Sequence, residues 1–262
     1  MPQVTKIKAN NNLKKAVQEA VQGIGGFEKF IKKGDTVFLK PNFNTADPFP
    51  ASSDFEFLKI VSVLMYQNGA KSVILGDSST IYANTKKVMK KLNIFELEKL
   101  NPPVWIHNFD KNKWIKKKIP NAKYLKSVSL PGILDKVDKL VLLPCLKTHS
   151  WADYTGALKL SVGFMKPSQR VRLHANHLRE KIAELNTIIH PDLVIMDARK
   201  CFITKGPFDG KTREPDLILA SEDRIGLDIE GIGIIQSLKG NVLADVNPED
   251  LIQIKRAREM GV

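Results

Sequence analysis

Short apolar runs alternate with amphipathic stretches along most of the chain. Residues 36–39, 73–75, 140–143 and 193–196 are short and apolar, which is typical of buried strands. Between them lie stretches with apolar residues at helical spacing, such as the one that follows Asp54 and ends at Asn68-Gly69. This alternation predicts an α/β fold, with a mostly parallel sheet and helices on both faces.

The middle of the chain departs from this alternation. Residues 104–109, 113–119 and 124–130 are short strand candidates separated by turn residues. We therefore expect one α/β domain over residues 1–262, with a small antiparallel insertion at about 101–130. After the insertion, residues 172–189 predict one continuous amphipathic helix that carries His174 on its apolar face and His177 at its flank.

Polar residues directly follow five of the predicted strands. They are Lys40-Pro41-Asn42, Gly76-Asp77-Ser78, Lys147-Thr148-His149, Asp197 and Ser221-Glu222-Asp223. Ligands of open parallel sheets bind outside the carboxyl ends of the strands. A single polar strand exit is often only a turn, but five exits at one edge predict a ligand site that contains charges of both signs.

Lys147-Thr148-His149 is the centre of the predicted site, because a fixed cation, a hydroxyl and an imidazole lie within three residues. We expect Lys147 to hold an anionic ligand and His149 to act as acid, base or metal ligand, so these two are the catalytic candidates. The further ligand-binding candidates are Lys40, Asn42, Asp77, Ser78, Thr148, Lys159, His174 and Gly206. A divalent metal would find oxygen and nitrogen ligands in Asp77, Asp197, Asp228 and His149.

Two of these candidates have an alternative, structural interpretation. His174 lies on the apolar face of its predicted helix, where a histidine is more often a hydrogen-bonded packing residue than a ligand. Gly206 belongs to the turn-rich segment 205–210, which is either a cover for the pocket or an exposed turn.

Composition and charge narrow the class of protein. The net charge of +13 favours anionic partners, but the lysines of segment 111–118 fit an exposed edge strand better than a nucleic-acid surface. No apolar run is long enough to span a membrane, and no signal region precedes the first helix. We expect a cytoplasmic protein whose partner is a small anionic molecule rather than nucleic acid or a membrane.

The ordered set of motifs resembles the family named domain of unknown function 362. The matching pieces, between about residues 25 and 261, are Gly34-Asp35, Lys40-Pro41-Asn42, Asn68-Gly69-Ala70, Gly76-Asp77-Ser78, Lys147-Thr148-His149, Thr155-Gly156-Ala157-Leu158-Lys159, His174, Asp197, Gly206-Pro207, Gly210, Asp223 and Asp228. The beginning of the chain is also similar to the sheet domain of lactate-racemase-like proteins. Both resemblances imply the α/β architecture.

The chain departs from this family in two places. Many members carry ferredoxin-like cysteine clusters, whereas this chain has only Cys145 and Cys201, so we expect no intrinsic iron–sulfur cluster. Leu160 also stands where the resemblance implies an asparagine after Lys159.

Three classes of function are compatible with these residues. The first is an enzyme or binding protein for an anionic small molecule, with or without a divalent metal. The second is a non-catalytic accessory protein of a redox or metallocofactor pathway. The third, which the scattered lysines support least, is a nucleic-acid-binding protein. The residues leave open whether the protein is catalytic.

Overall fold

A mostly parallel sheet forms the centre of the protein and confirms the predicted α/β class. The computed structural model describes residues 3–262. The strands are β1 (Thr5–Lys8), β2 (Thr36–Lys40), β3 (Ser72–Asp77), β4 (Val104–Asn108), β5 (Trp114–Lys118), β6 (Ser127–Pro131), β7 (Lys139–Leu142), β8 (Cys145–His149), β9 (Asp153–Thr155), β10 (Leu193–Phe202), β11 (Thr212–Arg213) and β12 (Leu217–Ser221). The α-helices are α1 (Leu13–Gln22), α2 (Phe27–Phe30), α3 (Phe55–Gln67), α4 (Thr85–Lys91), α5 (Ala157–Leu160), α6 (Pro167–Ala175), α7 (Leu178–Asn186), α8 (Arg224–Gln236) and α9 (Ile252–Glu259).

The main sheet has the strand order β1-β12-β10-β7-β2-β3-β4. All neighbours from β10 to β4 are parallel, whereas β12 is antiparallel to both β10 and β1. β8 runs parallel to the second half of β10 and forms an antiparallel hairpin with β9. The strand exits after β2, β3 and β7 therefore lie at one edge of the sheet, and β8 extends beyond that edge.

One of the five predicted exits lies at the opposite edge. Ser221, at the end of β12, is level with Val194 near the beginning of β10, because these two strands are antiparallel. The prediction that Ser221-Glu222-Asp223 joins the site is therefore wrong. Asp223 instead caps α8, where its side chain accepts a hydrogen bond from the backbone N–H of Ile225.

The predicted helix over residues 172–189 is also wrong, because the chain breaks it into α6 and α7. Asn176 is extended, and His177 adopts the left-handed conformation with φ of 48°. Neither conformation continues a right-handed helix. His174 therefore lies in the last turn of α6, away from the buried face that Leu178, Ile182 and Leu185 form on α7.

The middle section is divided between two sheets. β4 pairs with β3 as the edge strand of the main sheet, whereas β5 and β6 form a separate two-stranded antiparallel sheet. The antiparallel insertion is therefore smaller than the segment 101–130 that the sequence indicates.

Helices cover both faces of the main sheet. Along β2, Val37 and Leu39 pack into the hydrophobic cluster on one face, and Phe38 packs into the cluster on the other. The face with Val37 is covered by α1 and α3, and the opposite face by α5, α7 and α8. Within residues 3–262, no helix is both long enough and apolar enough to cross a bilayer.

Candidate functional site

The β8–β9 hairpin presents several polar side chains on one face. Lys147 lies directly across from Thr155, and His149 lies directly across from Asp153. Residues that face each other in an antiparallel pair project to the same side, so these four side chains share a surface. Tyr154 and Leu146 project to the other side, into the hydrophobic core.

Lys147 is a buried cation at the floor of this surface. Its ammonium donates hydrogen bonds to the carbonyls of Ala51 at 2.6 Å and Pro50 at 3.2 Å, in the loop after β2. Burial lowers the pKa of Lys147 to about 8. Both acceptors are neutral carbonyls, so these contacts hold the ammonium in place without neutralising its charge.

His149 is held in one neutral tautomer by the turn of the hairpin. Its Nδ1 accepts hydrogen bonds from the backbone N–H groups of Trp151 at 3.1 Å and Ala152 at 3.2 Å, which places the proton on Nε2. Burial, followed by the charges of Lys159 and His174, lowers the pKa of His149 to about 2. The ring is therefore a hydrogen-bond donor through Nε2, and either base catalysis or metal ligation at Nε2 would require the loss of that proton.

His174 carries its proton on the other ring nitrogen than His149 does. Its Nδ1 lies 2.7 Å from the carbonyl of Arg170 one turn earlier in α6, so Nδ1 carries the proton and Nε2 keeps a lone pair. Burial lowers the pKa of His174. The positive charge that His174 would carry is itself among the causes of the lowered pKa of His149, so the two rings are electrostatic neighbours.

Lys159 adds a second cation to the site from the last turn of α5. Burial and the positive charges of Arg170 and Lys147 lower its pKa to about 8. The helix that carries Lys159 is fixed at its beginning by Asp228, whose carboxylate accepts the N–H groups of Ala157 at 2.6 Å and Leu158 at 3.0 Å. Burial raises the pKa of Asp228 to about 7.

Thr155 is a polar residue of the site that the sequence argument did not select. Its hydroxyl is buried and has no hydrogen-bond partner among the described residues. Burying a hydroxyl without a partner is costly. Because Thr155 lies across from Lys147, this unsatisfied hydroxyl is on the same side of the hairpin as the Lys147 ammonium.

A buried ion pair joins the ends of β2 and β3. The Lys40 ammonium lies 2.8 Å from Asp77, and Asp77 also accepts the N–H groups of Phe43 and Ser78, each at 2.7 Å. Burial lowers the pKa of Lys40, and the Asp77 carboxylate opposes that shift. Lys40 and Asp77 therefore lie near one another as expected, but their charges neutralise each other instead of facing a ligand.

Arg170 is a second residue that the sequence argument missed. Its guanidinium is buried and donates to the carbonyls of Ser78 and Ser79, each at 3.0 Å, to that of Gly163 at 2.7 Å, and to the Ser78 hydroxyl. All of these acceptors are neutral. Arg170 thus joins the loop after β3 to α6. Its positive charge is one of the causes of the lowered pKa of Lys159.

Three of the predicted ligand-binding residues have structural contacts. The Asn42 side chain donates to the Ala51 carbonyl at 3.0 Å, and the Thr148 hydroxyl donates to the Phe202 carbonyl at 3.4 Å. Gly206 adopts φ of 67° and lies so close to the Thr148 carbonyl that a Cβ atom would be 2.0 Å from it. Segment 205–210 is therefore packed against β8, with Ser150 donating to the Gly206 carbonyl.

The four residues of the metal hypothesis are not brought together. Asp77 binds Lys40, and Asp197 accepts two hydrogen bonds from the guanidinium of Arg199 and one from its backbone N–H. Asp228 caps α5, and Nδ1 of His149 is already an acceptor. Among residues 3–262, no group of three or more histidine, cysteine, aspartate or glutamate side chains is arranged to hold a metal ion.

An open cleft of about 690 Å³ adjoins the hairpin on the side of His149. One wall consists of polar residues of the hairpin and its neighbours, and the other consists of apolar residues from the segment that leads into α9. The lining residues are Thr148, His149, Ser150, Asp153, Arg179, Lys205, Val242, Leu243, Val246, Asp250, Leu251 and Ile252.

These features describe an α/β protein with buried cationic side chains beyond the carboxyl ends of its parallel strands. Residues 37–232 match the family described as Domain of unknown function (DUF362), and the chain belongs to that family. The resemblance in the sequence motifs is thereby confirmed.

Two further proteins are similar to this chain. The "Thylakoid-associated protein sll1697" of Synechocystis is 26% identical over 231 residues, which cover 84% of this chain and 69% of the relative. The lactate racemase apoprotein of Thermoanaerobacterium thermosaccharolyticum matches with a TM-score of 0.48 and 12% identity. That match covers 84% of this chain but only 54% of the racemase.

Proposed function

We propose that the β8–β9 hairpin binds a small organic anion, such as a carboxylate or a phosphate ester. The observation that carries this proposal is the buried Lys147 ammonium, whose hydrogen bonds go to the neutral carbonyls of Pro50 and Ala51. Burial lowers the pKa of Lys147 to about 8, and burial together with the charges of Arg170 and Lys147 lowers that of Lys159 to about 8. Burying a cation without a carboxylate partner is costly. A bound anion would offset this cost.

The hydrogen-bonding groups around the lysines support the same ligand class. The Nε2–H of His149 and the hydroxyl of Thr155 are both able to donate to an anionic oxygen. Charge-assisted hydrogen bonds of this kind are the strong ones in proteins. The Lys40–Asp77 pair stabilises the neighbouring loops and takes no direct part.

We also propose that the site transfers a proton, with His174 as the base. The lone pair at Nε2 of His174 and the N–H at Nε2 of His149 are complementary, so one ring would accept a proton while the other stabilises the negative charge that develops on the ligand. The exchange of a C–H proton next to a carbonyl group of the bound anion would be the simplest reaction of this class.

The binding proposal is tested with sulfate and acetate, two small anions whose charge is constant near neutral pH. Calorimetric titration of the wild-type protein should show saturable binding. Lys159→Met should lower the affinity about tenfold or more, which corresponds to one charge-assisted hydrogen bond. Lys116→Met, which removes an exposed lysine on β5, serves as the matched control and should leave the affinity unchanged.

The opposite outcome would also be clear. If neither anion binds, or if Lys116→Met lowers the affinity as much as Lys159→Met does, the hairpin is not an anion site and the proposal fails.

A further inference from the structure

The cleft beside His149 has two chemically different walls. The hairpin wall carries hydrogen-bonding groups and cations, including His149, Arg179 and Lys205. The opposite wall is mostly apolar and is formed by Val242, Leu243, Val246, Leu251 and Ile252, with Asp250 as its charged residue. A volume of about 690 Å³ falls within the usual range of small-molecule sites.

The apolar wall contains side chains that are unusually exposed for their type. Val242 is 58% exposed and Ile252 is 45% exposed, whereas their neighbours Leu243 and Leu251 are buried. Single exposed apolar side chains are common on protein surfaces. Two of them on the same wall of a concave cleft, opposite polar groups, are instead typical of a ligand site.

The carboxylate of the hairpin wall is already paired, so it does not stand free to repel an anion there. Asp153, the acidic residue of that wall, accepts hydrogen bonds from Arg179, including one of 2.7 Å. Lys205 lies 3.7 Å from Asp209, and both side chains are largely exposed. Asp250, on the other wall, accepts a hydrogen bond from Asn247 at 2.9 Å.

His149 belongs to both the cleft and the cation cluster. It lines the cleft, and the charges of Lys159, Lys147 and Arg179 all contribute to the low pKa of its ring. A ligand whose charged group is held near His149 would therefore extend its remaining atoms along the apolar wall.

We propose that the ligand of this site is an amphipathic anion, in which a carboxylate or phosphate is attached to a hydrocarbon chain or ring that occupies the cleft. This proposal rests on the proposed function, because it assumes that the charged group is recognised at the hairpin. It adds the chemical nature of the rest of the ligand.

The test compares acetate, butyrate, hexanoate and octanoate by calorimetric titration, at concentrations at which these anions do not form micelles. Each methylene that leaves water should strengthen binding by up to about fourfold, the factor that corresponds to the transfer free energy of a buried methylene. The double variant Val242→Ser/Ile252→Asn should lose most of this dependence on chain length while it binds acetate like the wild-type protein. Trp105→Gln, which removes an exposed apolar residue of β4, is the control and should retain the dependence.

The outcomes separate this proposal from the one on which it rests. If acetate and sulfate bind in a way that depends on Lys159 but chain length has no effect, the amphipathic ligand is refuted and the anion site stands. The amphipathic ligand is also refuted if the double variant keeps the full dependence on chain length, or if uncharged 1-octanol binds as tightly as octanoate. If no anion binds at all, both proposals fail. Should the double variant not fold, Val242→Ser alone, at the more exposed position, gives the same comparison.

Discussion

Thr155 lies directly across the β8–β9 hairpin from Lys147, and its buried hydroxyl has no partner among the described residues. Valine has nearly the same shape as threonine but carries no hydroxyl. Thr155→Val should therefore leave the ligand-free protein equally stable or stabilise it by about 1 kcal/mol, because a buried and unsatisfied polar atom is removed.

The same variant should bind sulfate less tightly, by roughly tenfold, if the hydroxyl donates to the anion. Chemical denaturation and calorimetric titration of one preparation measure both quantities. A loss of stability without a loss of affinity would show that Thr155 has only a structural role.

Lys159→Met should increase the free energy of unfolding at pH 7. The pKa of Lys159 is lowered in the folded state to about 8 from its ordinary 10.5. At any pH at which the unfolded chain would hold this lysine protonated, the lowered pKa therefore costs the folded state free energy. The full shift would correspond to about 3 kcal/mol. Because Lys159 is partly exposed, solvent screening reduces the expected gain to about 1 kcal/mol.

The dependence of this gain on pH provides the check. Between about pH 8 and 10.5 the unfolded state binds more protons than the folded state, so the stability of the wild-type protein rises with pH. The advantage of Lys159→Met should therefore shrink from pH 7 to pH 10. An advantage that is equal at both values would mean that the packing of methionine, and not charge, is its cause.

Anion affinity should fall as pH rises above about 8. Sulfate keeps its charge over this range, whereas Lys147 and Lys159 begin to lose their protons there. A lysine that has lost its proton must regain it when the anion binds. This uptake of a proton lowers the affinity by up to tenfold per pH unit for each lysine. In Lys159→Met the slope should be half as steep, and an unchanged slope would contradict the assignment of these two lysines.

The sequence predicted which polar residues end the central strands better than it predicted their contacts. Lys40 and Asp77 lie at the same edge of the sheet because they end continuous apolar strands, and Lys147 lies on β8, which extends beyond that edge. Ser221 was misplaced because nothing in its own strand shows that β12 is antiparallel. The break before α7 depends on the left-handed backbone of His177, which a helical hydrophobic pattern does not reveal.

The protonation of the two histidines could not be predicted from the sequence. The donor at Nε2 of His149 depends on the N–H groups of Trp151 and Ala152 in the folded hairpin. The lone pair of His174 depends on the Arg170 carbonyl. Thr155 belongs to a motif that matches the family, but the sequence does not show that its hydroxyl is buried opposite Lys147 without a partner.

The two functions of the His149 ring are separable by substitution. Asparagine places an amide oxygen close to the position of Nδ1, so His149→Asn should keep the acceptor for the N–H groups of Trp151 and Ala152. It has no group at the position of Nε2. Glutamine reaches the position of Nε2 with an amide N–H but offers no acceptor at Nδ1.

We expect His149→Asn to retain the stability of the wild-type protein within about 1 kcal/mol and to bind acetate roughly tenfold more weakly, because one hydrogen bond to the anion is lost. His149→Gln should show the reverse pattern, with lower stability and a smaller loss of affinity. Denaturation and titration of both variants measure this difference. If His149→Asn binds acetate like the wild-type protein, Nε2 of His149 does not contact the anion, and the ring serves only to shape the hairpin turn.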